Sequence, residues 1–384
     1  MCSIFASKLP IIRKLYLTIF KTNKPHLFRM SVTTANAISP KRLRTEGAPL
    51  TIGTHSGTFH CDEVLACFML KQLPEYENAK ILRSRNDAEL HEHCDIIVDV
   101  GGEFDHEKKL YDHHQKTFQE TMSSLRPELG DQYKIRLSSA GLVFCFYGER
   151  VIDQILKKHA NVSLSPENLK LTFKQLYANF ISELDAIDNG VQICPDGKEP
   201  LYKISTHLSK RVGNFNPGWE EEGTNVDVNA RFEEAMAYAG KEFIDNVLSI
   251  GGSWIKAREY VRTALKTAKD VYESGEILML EKFCPWKHHL SALEKEFEME
   301  GVPKLVIFVD TSGGWRVAGV PVTPDSFLGR KFLPEPWRGL RDEELSKMAG
   351  IEGLTFVHHT GFIGGAKTKE AAVAMAIKSV QWSS

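Results

Sequence analysis

The sequence lacks the features that mark several classes of protein. No stretch supplies the roughly 18 uncharged apolar residues that a membrane span needs, so we expect no membrane partner. No C-x-x-C pair occurs among the seven cysteines, which argues against a zinc ribbon and a disulfide scaffold. Because the net charge is only −2, any nucleic-acid binding must use a local basic patch. What remains is a globular chain of 384 residues, long enough for two domains.

Acidic residues are missing from the start of the chain. Residues 1–46 contain nine lysines and arginines and no acidic residue before Glu46. This composition is typical of a mitochondrial transit peptide. The basic cluster at residues 40–44 is compatible with nuclear import or with a solvated linker, and Met30 offers an internal start that keeps only this cluster. We therefore treat residues 1–46 as a disordered targeting segment outside the fold.

The most informative stretch is Asp95 to Gln115. Its apolar run Ile96–Val98 predicts a buried strand with Asp99 at the carboxyl end, and the motif Asp112-His113-His114 follows shortly after. Carboxylate oxygens and imidazole nitrogens together suit Mn²⁺, Mg²⁺ or Zn²⁺. A polar turn with a solvated histidine pair is the alternative for this stretch alone.

A second group of ligand types lies earlier in the chain. His55, His60 and Asp62 fall between a strand that begins near Leu50 and a helix over residues 64–73. Further strands are predicted over residues 79–83 and 96–100. Since ligands bind at the carboxyl ends of parallel strands, we expect this loop to face Asp99 and the histidine pair in one metal site.

A third candidate is the end of a helix predicted over residues 166–190. Asp185 and Asp188 are three residues apart, on neighbouring positions of one helix face. Carboxylates are unfavourable at a helix C-terminus, and a bound cation would relieve the repulsion. A solvated face before Gly190 is the alternative.

The C-terminal part alternates predicted strands and helices after a loop-rich connection. Arg258, Arg262, Lys266 and Lys269 form a basic stripe on a helix predicted over residues 252–272, either a solvated face or a phosphate track. Near the end, Gly364 and Gly365 predict a turn that opens a helix over residues 368–380, where free amides can bind an anion. The other candidates for substrate binding are Trp337, Arg338, Arg341, His358 and His359.

With these motifs in view, the chain resembles the DHH phosphoesterase superfamily and, more closely, the Myg exonuclease family. The resemblance spans residue 50 to the end and rests on several long motifs in one order. They are THSGTFHCDEVLA, DIIVDVGGEFD, YDHHQ, ELDAIDNG, LPEPWRGLRDEELS and GFIGGAKT.

The resemblance implies an α/β fold with two domains and an active site in the cleft between them. The first would be a parallel-sheet catalytic domain with helices on both faces, over residues 47–190. Residues 191–226 would connect it to a substrate-binding α/β domain over residues 227–384. The implied activity is 3′–5′ exonucleolytic cleavage of single-stranded RNA, in the mitochondrial matrix and the nucleus.

The superfamily pattern also implies roles for individual residues. Asp99 would bridge two divalent cations, Mn²⁺ or Mg²⁺, and His113 would be a ligand. Asp112 would orient the histidine pair, and His114 would face substrate phosphate. Asp62 with His55 or His60 would supply first-motif ligands, and Asp188 or Asp185 would complete the second metal. Two departures stand out: histidines flank a first motif that is usually rich in aspartate, and Ala366 replaces the histidine that often follows the second Gly of the terminal Gly-Gly.

Two divalent cations about 3.5–4 Å apart can hold a deprotonated water and stabilise both oxygens of a phosphodiester displacement. Trp337, Arg338 and Arg341 are suited to stack on a base or bind phosphate, although an ordinary surface loop has the same composition. The leading hypothesis is therefore an RNA exonuclease. A pyrophosphatase or polyphosphatase with the same centre is one alternative, and a metal-stabilised RNA-binding scaffold is another.

Overall fold

The computed structural model describes residues 48–194, 197–221 and 225–383. The predicted targeting segment lies outside these residues. The strands are β1 Thr51–Thr54, β2 Lys80–Arg83, β3 Ile96–Val98, β4 Phe104–Asp105, β5 Leu110–Tyr111, β6 Ile277–Met279, β7 Leu305–Val309, β8 Trp315–Gly319, β9 Leu354–Val357 and β10 Ile363–Ala366. The α-helices are α1 Cys61–Lys71, α2 Asp87–His93, α3 Met122–Leu125, α4 Ser139–Ala160, α5 Pro166–Leu176, α6 Ser182–Asp188, α7 Leu208–Gly213, α8 Val228–Val247, α9 Ala257–Lys266, α10 Ala268–Val271, α11 Trp286–Glu296, α12 Asp342–Ala349 and α13 Lys369–Gln381.

The first sheet has the strand order β2-β1-β3-β5-β4, and only β4 runs antiparallel to its neighbour. Alternate residues of β3 point to opposite faces, as a strand requires. Ile96 and Val98 enter the core with α1 and α4, whereas Ile97 packs with Leu90 of α2 on the other side. The predicted parallel α/β architecture with helices on both faces is therefore confirmed.

The second sheet has the order β6-β7-β8-β10-β9 and is mostly antiparallel. Leu305 and Ile307 of β7 pack towards α12 and α13, and Val306 and Phe308 pack towards α9 and α11. The alternation of strands and helices predicted for the C-terminal part is confirmed. Among the described residues, no helix is long and apolar enough to cross a membrane.

Two helical regions differ from the sequence prediction. The helix expected over residues 166–190 contains a π-helical segment, Tyr177–Ile181, between α5 and α6. The buried side chains of α8 (residue 228 onwards) belong to the first hydrophobic core, since Phe232 and Phe243 pack with α1 and α4. The first core thus continues beyond residue 190, and the proposed domain limits stay a prediction.

Candidate metal centre

The end of β1 and the start of α1 place three potential ligands together. His55 follows β1 directly, and its Nε2 lies 2.9 Å from Glu63 Oε1. His60 is the N-cap residue of α1, and its backbone N–H donates to the same Glu63 oxygen at 2.9 Å. This is a capping box, in which the third helical residue turns back to the cap. Sequence reasoning missed Glu63, although its spacing from His60 could have revealed it.

Asp99 lies where β3 ends, in the left-handed backbone region with φ of 58°. Aspartate is among the few residues that adopt this conformation readily. The turn directs the two carboxylate oxygens to different histidines. Oδ2 lies 3.5 Å from His55 Nε2, and Oδ1 lies 3.5 Å from His113 Nε2. The side chain therefore joins the two ligand groups that the sequence predicted separately.

The Asp-His-His motif follows β5, and its two histidines have different surroundings. His113 is buried, and its Nε2 lies 3.0 Å from Asp188 Oδ2 and 3.6 Å from Asp62 Oδ2. His114 is 64% exposed, with Nδ1 2.7 Å from Asp112 Oδ1. The other oxygen of Asp112 accepts a hydrogen bond from the Gly102 amide at 2.6 Å. In the structure Asp112 thus orients His114 rather than both histidines.

The N-terminus of α4 holds two of the buried carboxylates. The Ser139 amide donates to Asp62 Oδ2 at 2.9 Å, and the Ala140 amide donates to Asp62 Oδ1. The Ser138 amide donates to Asp185 Oδ1 at 2.9 Å. Free amides and the positive end of the helix dipole favour carboxylates here. No part in the site was predicted from the sequence for this helix start.

Asp185 and Asp188 have different surroundings. Asp185 is fully buried, and its second oxygen accepts from the Tyr177 hydroxyl at 3.0 Å. Asp188 instead contacts His113 and belongs to a cluster of potential ligands. The structure therefore favours Asp188 over Asp185 as the candidate ligand, because Asp188 lies in a cluster of potential ligands, whereas Asp185 accepts from the Ser138 amide and the Tyr177 hydroxyl.

The described residues contain three sets of side chains that could hold metal ions, each with its ligand atoms within 4.8 Å of one another. Asp99 is shared by the first two, and His113 by the last two. Buried Glu63 Oε2 and His113 Nδ1 have no hydrogen-bond partner. Unsatisfied imidazole and carboxylate atoms in one cluster fit a divalent cation. The sets are His55, His60, Glu63 and Asp99; Asp99, His113 and His114; and Asp62, His113 and Asp188.

Close packing of these charges shifts their pKa values. Burial alone would lower the pKa of His55, but the carboxylates of Asp99 and Glu63 raise it to about 10. Burial would also lower the pKa of His113, but the carboxylates of Asp188 and Asp99 stabilise its protonated form and raise the pKa to about 11. Burial and the neighbouring carboxylates raise the pKa of Asp62 well above its usual range. A divalent cation that binds among these groups would therefore compete with protons on the histidines.

A cavity of about 350 Å³ opens onto this cluster. Ser209 and Gly213 of α7 line it, so the predicted connection also shapes the site. The lining residues all fall within residues 59–213, and the expected position between two domains stays a prediction. The lining comprises Phe59, His60, Cys61, Asp62, Asp99, His114, Leu184, Ile187, Asp188, Ser209 and Gly213.

Several predicted substrate contacts are wrong. Trp337 is buried in the hydrophobic cluster between the second sheet and helices α12 and α13, and it cannot stack on a base. Gly364 and Gly365 lie within β10, so they form no turn at a helix start. Arg258 of the basic stripe is buried and paired with Glu167 and Glu296.

The remaining predicted contacts stay open to solvent in part. Arg341 is exposed, with its guanidinium carbon 5.9 Å from the ring centroid of Phe356. Arg338 donates through Nε to the Leu333 carbonyl at 3.0 Å. His359 is exposed beside half-buried His358. Arg341 and the two histidines therefore remain candidates for contact with a polynucleotide.

Similarity to known proteins identifies the family of this chain. Residues 51–380 match the family model MYG1_exonuc, described as an uncharacterised protein family (UPF0160). The chain belongs to this MYG1 family. It is 46% identical over 334 residues to "MYG1 protein" of Dictyostelium discoideum, covering 87% of this chain and 97% of the relative. It is also 46% identical over 339 residues to "MYG1 exonuclease" of Homo sapiens, covering 88% of each. No solved structure matches the chain.

Proposed function

We propose that this MYG1 family member is a metal-dependent 3′–5′ exonuclease that acts on single-stranded RNA. The observation that carries the proposal is Asp99, whose two oxygens face His55 on one side and His113 on the other. A carboxylate placed in this way is suited to bridge two cations. Relatives that carry the name exonuclease, such as those of Homo sapiens and Bos taurus, support the choice of a nucleic acid as substrate.

The residues fit a centre for two divalent cations, Mn²⁺ or Mg²⁺. His55, Glu63 and Asp99 would hold one of them, and Asp62, His113 and Asp188 would hold the other, with Asp99 shared. Such ions supply an activated water and neutralise charge on the phosphate when they are bound. The amides at the start of α4 fix Asp62, which keeps its carboxylate in place without a mobile side-chain partner.

His114 is the candidate for contact with the scissile phosphate. It is exposed, and Asp112 holds its Nδ1 at 2.7 Å, which leaves Nε2 free for substrate. The hydrogen bond from Asp112 raises the pKa of His114. A protonated His114 can donate to a phosphate oxygen or to the departing 3′ oxygen. Arg341, beside Phe356, is a candidate for contact with a nucleotide farther along the chain.

The proposal is tested with labelled single-stranded RNA, single-stranded DNA and pyrophosphate, each with Mg²⁺ and with Mn²⁺. We expect stepwise release of mononucleotides from the 3′ end of RNA, and a 3′-phosphate block should prevent it. Efficient pyrophosphate hydrolysis without RNA cleavage would replace the proposal with a pyrophosphatase. Tight RNA binding without turnover in any metal would replace it with a binding scaffold.

We also propose that the protein acts in the mitochondrial matrix and in the nucleus. The basic composition of residues 1–45, which contain no acidic residue, supports this, and Met30 provides a start that omits most of this segment. A fusion of residues 1–46 to a fluorescent reporter should enter mitochondria, and a fusion of residues 30–46 should not. Diffuse cytosolic fluorescence of the longer fusion would contradict the mitochondrial part.

A further inference from the structure

The candidate metal centre is rich in carboxylates for a site that must receive an anion. Five carboxylates surround its two buried histidines, His55 and His113, and two divalent cations would neutralise four of these five charges. A phosphate approaching this centre needs a further cation close by. The carboxylates are those of Asp62, Glu63, Asp99, Asp112 and Asp188.

Two arginines lie at the carboxyl end of β2, next to the loop that carries His55. Arg83 is half-buried and committed to the fold. Its Nη2 donates to the Gly57 carbonyl at 2.7 Å, and its guanidinium carbon lies 4.6 Å from the Phe232 ring centroid. Its Nη1 donates to the Asn229 side chain at 3.2 Å. Arg83 therefore joins the β1–α1 loop to α8 and has little capacity left for a ligand.

Arg85 differs from Arg83 in exposure and in partners. Its side chain is exposed, and Nε donates to the Ser56 carbonyl at 3.0 Å. Nη2 lies 3.4 Å from His55 Nδ1, on the ring edge opposite the carboxylates. No carboxylate in the described ranges forms an ion pair with it. Since a guanidinium has five N–H donors, most of those of Arg85 remain available.

The backbone around Arg85 is held firmly. The Ser84 amide donates to the Thr54 carbonyl at 2.8 Å, which extends the pairing of β1 and β2. Asn86 caps α2 by accepting hydrogen bonds from the amides of Ala88 and Glu89. Arg85 thus stands on a short, fixed segment between a strand and a helix. A fixed guanidinium loses less entropy on binding a phosphate than one on a mobile loop.

We infer that Arg85 is a substrate-binding residue that holds a phosphate of the substrate on the His55 side of the metal centre. Its planar fork matches two phosphate oxygens. The position lies at the carboxyl end of β2, beside β1 in the sheet, where parallel sheets bind ligands. This inference deepens the proposed nuclease function and rests on it for the identity of the substrate.

The test compares Arg85→Gln and Arg85→Lys with a matched surface control, Arg150→Gln. Arg150 lies on α4, away from the cluster. It is also exposed, but it pairs with Glu75. The first measurement is binding of inorganic phosphate to the Mn²⁺-loaded protein by calorimetry. The second is kcat and KM on single-stranded RNA at two salt concentrations. Thermal unfolding and Mn²⁺ binding are measured for each variant.

We expect Arg85→Gln to weaken phosphate binding and raise KM about ten-fold, the loss typical of one charge-assisted hydrogen bond. For this variant, the slope of the logarithm of RNA affinity against the logarithm of salt concentration should decrease in magnitude by about one. Arg85→Lys should retain part of the affinity, and Arg150→Gln should match the wild type. Mn²⁺ affinity and thermal stability should be unchanged throughout.

Unchanged phosphate affinity in Arg85→Gln would overturn the inference. A fall in Mn²⁺ affinity in that variant would also overturn it, because Arg85 would then act through His55. Failure of the proposed function has a different signature. A wild-type protein that cleaves no RNA, yet binds phosphate in an Arg85-dependent manner, would refute the nuclease and retain the phosphate site.

Discussion

At the scale of single residues, the metal centre depends on how Asp99 leaves its strand. Its φ of 58° turns the carboxylate so that each oxygen meets a different histidine. Glycine would adopt this backbone easily but carries no ligand, and alanine would be strained there. Asparagine tolerates the same conformation. Asp99→Asn therefore removes the charge with little disturbance of the backbone.

We expect Asp99→Asn to lose metal binding and hydrolysis while remaining folded. Loss of an outer-shell partner typically weakens metal affinity by about 10–100-fold. Loss of a ligand shared by two metals should weaken it more. The measurements are Mn²⁺ binding by calorimetry, RNA hydrolysis and circular dichroism. Asp153→Asn is the matched control, because Asp153 is a helix-surface carboxylate paired with Lys157. Wild-type turnover by Asp99→Asn at saturating Mn²⁺ would refute the assignment.

Residue types and spacing predicted most of the centre. His55, Asp62, Asp99 and His113 meet as expected, because the carboxyl ends of adjacent parallel strands share one edge of the sheet. Glu63 was missed because a glutamate at the third position of a helix usually serves only as a capping residue. Arg85 was missed since nothing in the sequence distinguishes it from Arg83, two positions earlier.

At the scale of elements, α4 acts as an anchor for carboxylates. Its first amides hold Asp62 and Asp185, and Asp185 lies three residues before the candidate ligand Asp188. The π-helical segment before α6 changes the phase of the helix, which a constant 3.6-residue period cannot predict. For the same reason the sequence could not show that Asp188, rather than Asp185, joins the cluster of potential ligands.

Gly141 of α4 shows how tightly this anchor is packed. A Cβ at this position would lie 2.2 Å from Asp185 Oδ1 and 2.8 Å from its Cγ. Alanine normally stabilises a helix interior relative to glycine by about 1 kcal/mol. Here we expect Gly141→Ala to destabilise the protein by about 1–3 kcal/mol, as overpacking does. Urea unfolding measures the change.

Two further variants separate the clash from helix propensity. Gly252→Ala is the control, because no atom lies within 4 Å of a Cβ built there, and it should not destabilise. In an Asp185→Ala background, which removes the carboxylate, Gly141→Ala should cost little. An equal cost in both backgrounds would mean that Asp185 does not hold the start of α4 in the proposed way.

At the scale of the whole molecule, each of the two sheets packs against a hydrophobic cluster on each face, and the first core, which packs α1 and α4 on the first sheet, includes more of the chain than the motifs indicate. Apolar runs predicted three strands of each sheet but not β4, β5, β9 or β10. The contribution of α8 to the first core could not be predicted, since its apolar face fits either sheet equally well. The same applies to α7, whose Ser209 and Gly213 line the cavity although the sequence shows only a loop-rich connection.

In the proposed metal centre, His55 and His113 couple metal binding to folding. Both have pKa values raised from the ordinary 6.5, to about 10 and about 11. A raised histidine pKa stabilises the folded state fully below pH 6.5, and this stabilisation is lost as the pH rises through the folded-state value. In a chelator, we therefore expect these histidines to make thermal stability fall between about pH 6.5 and pH 11. Bound Mn²⁺ should reduce the fall, because it replaces the protons between the carboxylates.

The same linkage predicts the number of protons that metal binding releases. At pH 7.5 both histidines are protonated in the metal-free protein, so saturation with Mn²⁺ should release about two protons per chain. Calorimetry in two buffers of different ionisation enthalpy counts them. His113→Asn should reduce the count by about one, and His159→Asn, at an exposed position near the end of α4, should leave it unchanged. Affinity for Mn²⁺ should accordingly rise with pH. Metal binding without proton release would show that the cation lies away from His55 and His113.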